Sequence, residues 1–486
     1  MHRNLKMIQH SRIYSIPLTF LIALLNFLPV TASQSETLAV LNDRTVTLND
    51  VDPSVREMAS RLDSEIEATR TRILDEKIDQ FLFKAEARRR RISIDRLVAL
   101  EVTGRIQDPT PEQILSIYDA NRGQFGNTDV AAARPQIVAY LRRESAQRLA
   151  TELAAGLRKR HAVVMGVNIN SPDLAPTATL ATVAGKAITA GPVLARLKPL
   201  IYDLRARVYE AVLGAVEQLI FDLLVVDEAQ RKAVGAEVII RREITDKLRA
   251  PAEAEVVKFY EENRSRIAGD LSSARGAIVS YLEQQERTRL ENALRAKLKS
   301  GANVRILLPE PVAPVIDVST DDDPSRGPAT APVTVVVFTD FQCPSCGASH
   351  PVIDDITRSF GNNVRLVIRD FPLDIHENAR RAAEAANAAH AQGKFFEYMD
   401  VLFKNQKSLD IASLKKYATQ IGLNRTRFDA ALDSGAYRLE VENDINDGTQ
   451  YGIAGTPTVF VNGVRVNKLS AETLRAAIDR ALSQKK

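Results

Sequence analysis

The sequence predicts a multidomain chain in which two mainly α-helical repeats precede an α/β domain that carries a helical insertion. Three observations lead there. Residues matched in type recur through the N-terminal part of the chain at one fixed spacing, the sign of a duplicated unit. Between Leu307 and Pro332 the composition shifts to Pro, Asp, Ser and Gly. Beyond it an apolar run, Val333 to Phe338, reads as a buried strand that delivers Cys343-Pro344-Ser345-Cys346 to the first turn of a helix.

In chain order, Arg3, Lys6 and Arg12 come first, then the nearly continuous apolar stretch Ile13 to Val30, then the small residues Thr31-Ala32-Ser33. That three-part pattern predicts a cleaved secretory signal over 1–33. The alternative is an uncleaved membrane anchor, because the apolar stretch approaches the ~20 residues that span a bilayer. Pro17, Asn26 and Pro29 count against it, and the absence of a cysteine after the small residues argues against lipidation. A net charge of +4 on so long a chain is small, and with no tryptophan there is little stacking surface, so no nucleic-acid partner is expected.

The two repeats are expected over 34–168 and 169–309. Leu38-Ala39-Val40 with Val46-Thr47 recurs as Leu180-Ala181-Thr182 with Ile188-Thr189. At the same spacing Glu86-Ala87 maps onto Glu228-Ala229, Tyr118 onto Tyr260 and Asn121-Arg122 onto Asn263-Arg264. After a one-residue deletion Ile137, Tyr140, Leu149 and Leu157 map onto Ile278, Tyr281, Leu290 and Leu298. Each unit should open with a small two-stranded ribbon and continue as helices. Asp52-Pro53 is a helix-start signal, and Val55, Met58, Leu62, Ile66, Ile73, Ile78, Phe81, Leu82 and Ala85 keep an apolar stripe at three- and four-residue steps. Thr110-Pro111-Glu112-Gln113 opens a further helix with a capping-box pattern. Arg88 to Arg91 reads as a solvated helix end whose charges oppose the macrodipole.

Residues 310–330 read as a linker with a first short strand. Asp321-Asp322-Asp323 reads as a solvated turn, because a calcium loop needs ligands at alternate positions and a distal glutamate.

Cys343 and Cys346 are the only cysteines, so they cannot belong to a four-cysteine zinc site. Their spacing is that of a redox-active dithiol, with a pair of buried structural cysteines or a static disulfide as the bland alternative. At a helix N-terminus, unpaired N–H groups and the macrodipole favour negative charge, which makes Cys343 the nucleophile and Cys346 the resolving thiol. Exchange in either direction passes through a mixed disulfide on Cys343. Of the six histidines, His350 lies one turn beyond Cys346 and is expected to face solvent or pack along its helix, with approach to the dithiol as the alternative, and His376 is expected to serve in packing. No pair shows metal-ligand spacing, and neither a metal nor another cofactor is expected.

These residues resemble the thioredoxin fold, and within it the DsbA-like branch of periplasmic thiol-disulfide oxidoreductases, over 331–486. Pro351 sits where such proteins kink the active-site helix, Val364 to Arg369 reads as the next strand, and Asn378 to Ala436 as the helical insertion of that branch. Gly452-Ile453-Ala454-Gly455-Thr456-Pro457 looks like the family's cis-proline loop. The resemblance implies that Pro457 is cis beside the dithiol and that the backbone of Thr456 pairs with bound peptide. Two departures stand out. Ser345 replaces the histidine of strongly oxidising members, and Val337 occupies a strand position where many relatives bury an acid. The thiolate should then be less stabilised than in the strongest oxidants, with a potential between about −120 and about −270 mV, and proton removal from Cys346 lacks an obvious base.

A second resemblance covers Leu38 to about Pro309. The strand pair, the long helix ending in Glu-Ala, the helix closing on Tyr-x-x-Asn-Arg and the final long helix look like the chaperone domain of SurA-like and trigger-factor-like foldases. Where those proteins insert a parvulin domain, only Gly126 to Ala133 and Ala268 to Ala274 remain, so prolyl isomerase activity is not expected.

Together the resemblances imply a periplasmic enzyme that introduces disulfides into clients through Cys343, with the repeats holding those clients. Reduction or isomerisation is the alternative that Ser345 and Val337 favour, and a non-enzymatic holdase stands beside both. The repeats would otherwise be a scaffold for spacing or dimerisation. Expected partners are unfolded or thiol-containing exported proteins, a membrane or soluble redox partner, and a second copy of the chain.

Overall fold

The computed structural model describes residues 36–484 apart from 126–127, 265–266 and 268. The expected signal segment, 1–33, lies outside them.

One order of elements runs twice through the N-terminal unit. First come β1 (Thr37–Leu41), β2 (Arg44–Thr47), α1 (Pro53–Arg90), α2 (Ile94–Glu101), α3 (Pro111–Ala120), α4 (Arg122–Phe125), α5 (Val130–Arg160) and β3 (Val163–Met165). Then come β4 (Thr179–Val183), β5 (Lys186–Thr189), α6 (Ala190–Arg231), α7 (Ala236–Glu243), α8 (Glu253–Asn263), α9 (Leu271–Lys299) and β6 (Val304–Ile306). Local chemistry sets the starts. The Asp52 carboxylate accepts the Ser54 N–H ahead of Pro53, and Thr110 and Gln113 cap each other's backbone N–H at α3. The apolar stripe of α1 is buried at Leu62, Ile66, Ile73, Ile78 and Leu82.

The strands that close each copy are exchanged. β6 pairs antiparallel with β1, and β3 pairs antiparallel with β4. The expected boundary at 168/169 thus falls between two strands of one sheet. Long helices α1 and α6 pack together, and both cores mix the copies: Leu38, Leu41 and Leu62 sit with Val212, Val216 and Ile220, while Ile73, Ile78 and Leu82 sit with Leu180, Ile188 and Leu197. Each such fully buried aliphatic side chain contributes about 1.5–3 kcal/mol, so neither copy keeps its core without the other.

Arg88, Arg89 and Arg91 are exposed at the end of α1, as expected of a solvated helix end, but two of the four arginines also have a specific partner. Arg89 and Arg90 bond the fully buried Glu86, which also meets Arg160 and His161 from the end of α5. Helical spacing of three and four residues lays the two arginines over that carboxylate.

The C-terminal domain holds β7 (Ser325–Arg326), β8 (Val333–Thr339), α10 (Pro344–Ser359), β9 (Val364–Asp370), α11 (Ala379–His390), α12 (Phe395–Lys404), α13 (Ile411–Gln420), α14 (Arg425–Ser434), α15 (Arg438–Gln450), β10 (Thr458–Val461), β11 (Val464–Arg465) and α16 (Ala471–Ser483). The sheet order is β11-β10-β8-β9-β7, with β8 and β9 parallel and the other pairs antiparallel. Both faces of β8 are covered, which explains its unbroken apolar run. Val333, Val335 and Val337 face the helical insertion, while Val336 and Phe338 face Phe371, Ile453 and Phe460.

Asp323 is buried, unlike its exposed neighbours Asp321 and Asp322, and so departs from the solvated turn expected of the three. It lies 3.0 Å from the buried Arg369 guanidinium, which also bonds Asp444 and Asp447. Carboxylate oxygens of Asp323, Glu440 and Asp444 come within 4.8 Å of one another, with Arg369 supplying positive charge in the same cluster.

Helix α6 also meets the C-terminal domain. Asp203 pairs with Arg465 at 2.9 Å, Glu210 with Lys468 at 3.0 Å, and the Asn467 amide donates to the Tyr202 hydroxyl at 2.7 Å. At Gly452, whose φ is +78°, a Cβ would stand 3.0 Å from Pro199, so glycine suits both the turn and the close approach.

Candidate thiol–disulfide site

The site begins where β8 ends. Asp340 is buried, and its carboxylate holds the turn that follows: Oδ1 accepts the N–H groups of Gln342 and Cys343, and Oδ2 accepts the Leu373 N–H at 2.8 Å and meets His376 Nδ1 at 2.7 Å. An aspartate closing its own backbone two and three residues on is a local turn device. Here it also joins the turn to the segment after β9. His376, expected in packing, therefore positions the active-site loop.

Cys343 caps the N-terminus of α10, Pro344 takes the first helical position, and Cys346 lies one turn in. Both sulfurs are buried, Cys346 almost completely, whereas Pro344 and Ser345 are exposed. From the insertion, the Gln406 amide donates to the carbonyls of Phe341 (3.0 Å) and Cys343 (2.7 Å). A Cβ at Gly347 would stand 2.4 Å from Gln406, so glycine there admits this clamp.

The Thr456–Pro457 peptide bond is cis. The Cys343 sulfur stands 3.5 Å from the Thr456 carbonyl and can donate to it only while it is protonated. The Thr456 hydroxyl is buried and has no hydrogen-bond partner among the described residues.

These surroundings separate the two thiols. The Cys346 thiol beside it pulls Cys343 down to about 5 against the effect of burial, helped by the Cys346 and Ser345 N–H groups and by Thr456. Cys346 is pushed far up, first by Cys343 and then by burial. One sulfur is thus a thiolate at neutral pH and the other a protonated reserve, which is the division of labour that exchange through a mixed disulfide requires.

Cys343, Pro344, Ser345, Cys346, Thr456 and Pro457 converge in one place. Asp340 and Gln406 were not singled out in the sequence. Asp340 had a local signal, three residues before a helix-capping cysteine, whereas Gln406 lies 63 residues from its acceptor Cys343 and had none. Val337 is buried beside Cys346, and no acid replaces it on β8.

The family described as Thioredoxin matches residues 319–480. Among curated proteins, the chain is 36% identical over 209 residues to Na(+)/H(+) antiporter NhaA 1 of Salinispora arenicola, 43% of this chain and 31% of that protein. It is 36% identical over 179 residues to Na(+)/H(+) antiporter NhaA of Herminiimonas arsenicoxydans, 37% of this chain and 28% of that protein. The chain thus spans about a third of the length of these relatives or less, and among the described residues no helix is long and apolar enough to cross a membrane. Solved structures similar to part of the chain include a thioredoxin-like oxidoreductase from Silicibacter pomeroyi (26% identity, 33% of this chain and 93% of that one, TM-score 0.31). BdbD from Bacillus subtilis matches at 24% identity, covering 35% of this chain and 98% of that one, with a TM-score of 0.33.

Proposed function

We propose that the chain is a thiol–disulfide oxidoreductase that acts on other proteins through Cys343. One observation carries the reading: a lowered thiol at a helix N-terminus, backed by a protonated partner one turn on and facing the carbonyl of a cis-proline loop. In the oxidising direction a client thiolate attacks the Cys343–Cys346 disulfide at Cys343 and releases Cys346. A second client thiolate then displaces Cys343, leaving the client oxidised and the enzyme dithiol reduced. The edge of Thr456 is where the client backbone would lie, with Pro344 and Ser345 exposed beside it.

Oxidation of exported proteins in the periplasm is the favoured role, with a membrane or soluble partner restoring the disulfide. Reduction or isomerisation is the second reading, and Ser345 and Val337 favour it because neither supplies the charge found in strong oxidants. The deciding measurement is the potential of the Cys343–Cys346 pair against glutathione buffers. A value near about −120 to −180 mV supports donation or shuffling of disulfides, and one near about −270 mV overturns the oxidase role.

We further propose that the N-terminal unit holds clients near Cys343 and so raises their effective concentration there. Both copies carry exposed apolar residues at equivalent places: Leu115 and Tyr140 in the first, Val257 and Tyr281 in the second. Tyr281 lines an open cavity of about 650 Å³ with Arg249, Gln285 and Arg289. If this is the holding surface, replacing the four residues by Ser weakens suppression of client aggregation while small-disulfide exchange stays unchanged. A Cys343→Ser chain that still suppresses aggregation but exchanges no disulfide separates holding from chemistry.

A further inference from the structure

Resolution of a mixed disulfide on Cys343 needs the proton of Cys346 to leave, and the sequence offers no acid at Val337 to take it. The structure contains a small cavity behind Cys346, of about 10 Å³, close to the space one water needs. Val337, Thr339, Cys346, His350, Asp354 and Pro457 line it. Two of these besides the thiol carry titratable groups. Asp354 is committed elsewhere: Arg358 meets it at 2.7 Å and Arg326 bonds its other oxygen, and despite burial the two hold it below the usual carboxylate range. A carboxylate so engaged is a weak proton acceptor.

His350 differs. It lies four residues after Cys346 on α10, on the same helical face. Its Nε2 lies 2.7 Å from Asp400 Oδ1 on α12, and its ring packs against Phe403 at 4.9 Å between centroids. Asp400 is half exposed, so the pair connects a buried cavity with bulk water. From β9 only Leu366 and Ile368 face the cavity, and they carry no charge. The ring thus packs, as one expectation has it, and also borders the cavity beside Cys346, as the alternative has it.

We propose that His350, oriented by Asp400, is a positioning residue that relays the proton of Cys346 through one water in this cavity. The proposal rests on the thiol-exchange reading. In the resolving step Cys346 gives its proton by way of water to the imidazole, and its sulfur attacks Sγ of Cys343. The Cys343–Cys346 bond forms, the bond from Cys343 to the client sulfur breaks, and the client leaves as a thiolate with the electron pair. The enzyme dithiol is oxidised and the client reduced. Run in reverse, a client thiolate attacks Cys343 of the disulfide and the released Cys346 sulfur takes a proton back from the imidazolium. Imidazole is the usual side chain for such shuttling near neutral pH.

The test uses the full chain in reduced form, mixed rapidly with oxidised glutathione, quenched in acid and analysed by mass for the Cys343–glutathione mixed disulfide. In His350→Gln the mixed disulfide should persist roughly tenfold longer or more at neutral pH, as expected on losing a proton acceptor. Added imidazole should shorten it again, while the pH midpoint for alkylation of Cys343 stays at the wild-type value. Asp400→Asn should lengthen it less and shift the pH profile of resolution. An unchanged lifetime in both variants overturns the relay. So does slowing that imidazole does not rescue and that alkylation shares, because it marks a structural role. If the wild-type chain forms neither the mixed disulfide nor the Cys343–Cys346 disulfide, the thiol-exchange reading itself fails, an outcome distinct from the others.

Discussion

Glu86 and Asp323 are both carboxylates withdrawn from water, one in each half of the chain, and their surroundings move them in opposite directions. Glu86 is held well below the usual carboxylate range, first by its bonds to Arg89, against burial, with Arg90 and His161 adding to it. Asp323 is pushed up to about 9 by burial and by the neighbouring charge of Asp444, which Arg369 only partly offsets. Asp370, fully enclosed on β9, is pushed up to about 8 for the same first two reasons. Burial alone does not set the direction. Depth and cation count act together: three arginines and a histidine, the arginines reaching water, share Glu86, whereas Asp323 lies deep, where burial is the first cause, and one guanidinium serves the whole cluster around Asp444.

Removing the scarce cation should do the most harm. Arg369→Met leaves buried carboxylates without a partner and should lower stability by about 3–5 kcal/mol in urea unfolding. A loss below about 1 kcal/mol would mean that the carboxyls are already neutral and that the contrast with Glu86 is overstated. Glu86→Gln removes charged hydrogen bonds from a site whose cations still reach water, so about 1.5–3 kcal/mol is expected.

Titration sharpens the same contrast. Glu86 has a depressed folded value, so its contribution is present above the unfolded value of about 4.3 and is lost as pH falls through the folded one. Asp323 has a raised folded value, so its contribution is complete below the unfolded value of about 3.9 and fades as pH rises toward about 9. Urea midpoints compared at about pH 6 and about pH 9 should therefore fall in the wild type, and less so in Asp323→Asn. An equal fall in both would remove Asp323 from the account. The smallest effect is expected at the second copy's counterpart, Glu228→Gln. Its partners Arg231 and Lys232 are exposed, and about 1 kcal/mol or less is at stake.

How far the sequence carried differs between the halves for related reasons. In the C-terminal domain an apolar run, a two-thiol spacing and a helix start lie next to one another in the chain, so the strand, the turn after it and the placement of Cys343 and Cys346 at the helix start were legible. The groups that hold them, His376 and Gln406, reach back from distant segments, and no local pattern announces such a partner. That His350 lies one helical turn beyond Cys346 was legible too, whereas its neighbours Asp400 and Phe403 come from α12 and had no local signal. In the N-terminal unit the periodicity of α1 marked which face is buried. It did not reveal that α6 covers that face, or that Val163–Met165 and Val304–Ile306 are strands at all. Three residues are too short for an alternating pattern, and their partners lie in the other copy.

The exchanged strands also set a schedule. A ribosome releases β1 early, yet the strand that completes its sheet is made after α9, and the Asn42–Asn303 contact joins residues 261 positions apart. Until then β1 offers an open edge, the kind of surface that recruits wrong neighbours. The second hairpin has no such wait, because β3 precedes it and can receive it at once. Synthesis should therefore finish one small sheet promptly and hold the other open, and a nascent chain stopped before Val304 is the species most in need of a guardian.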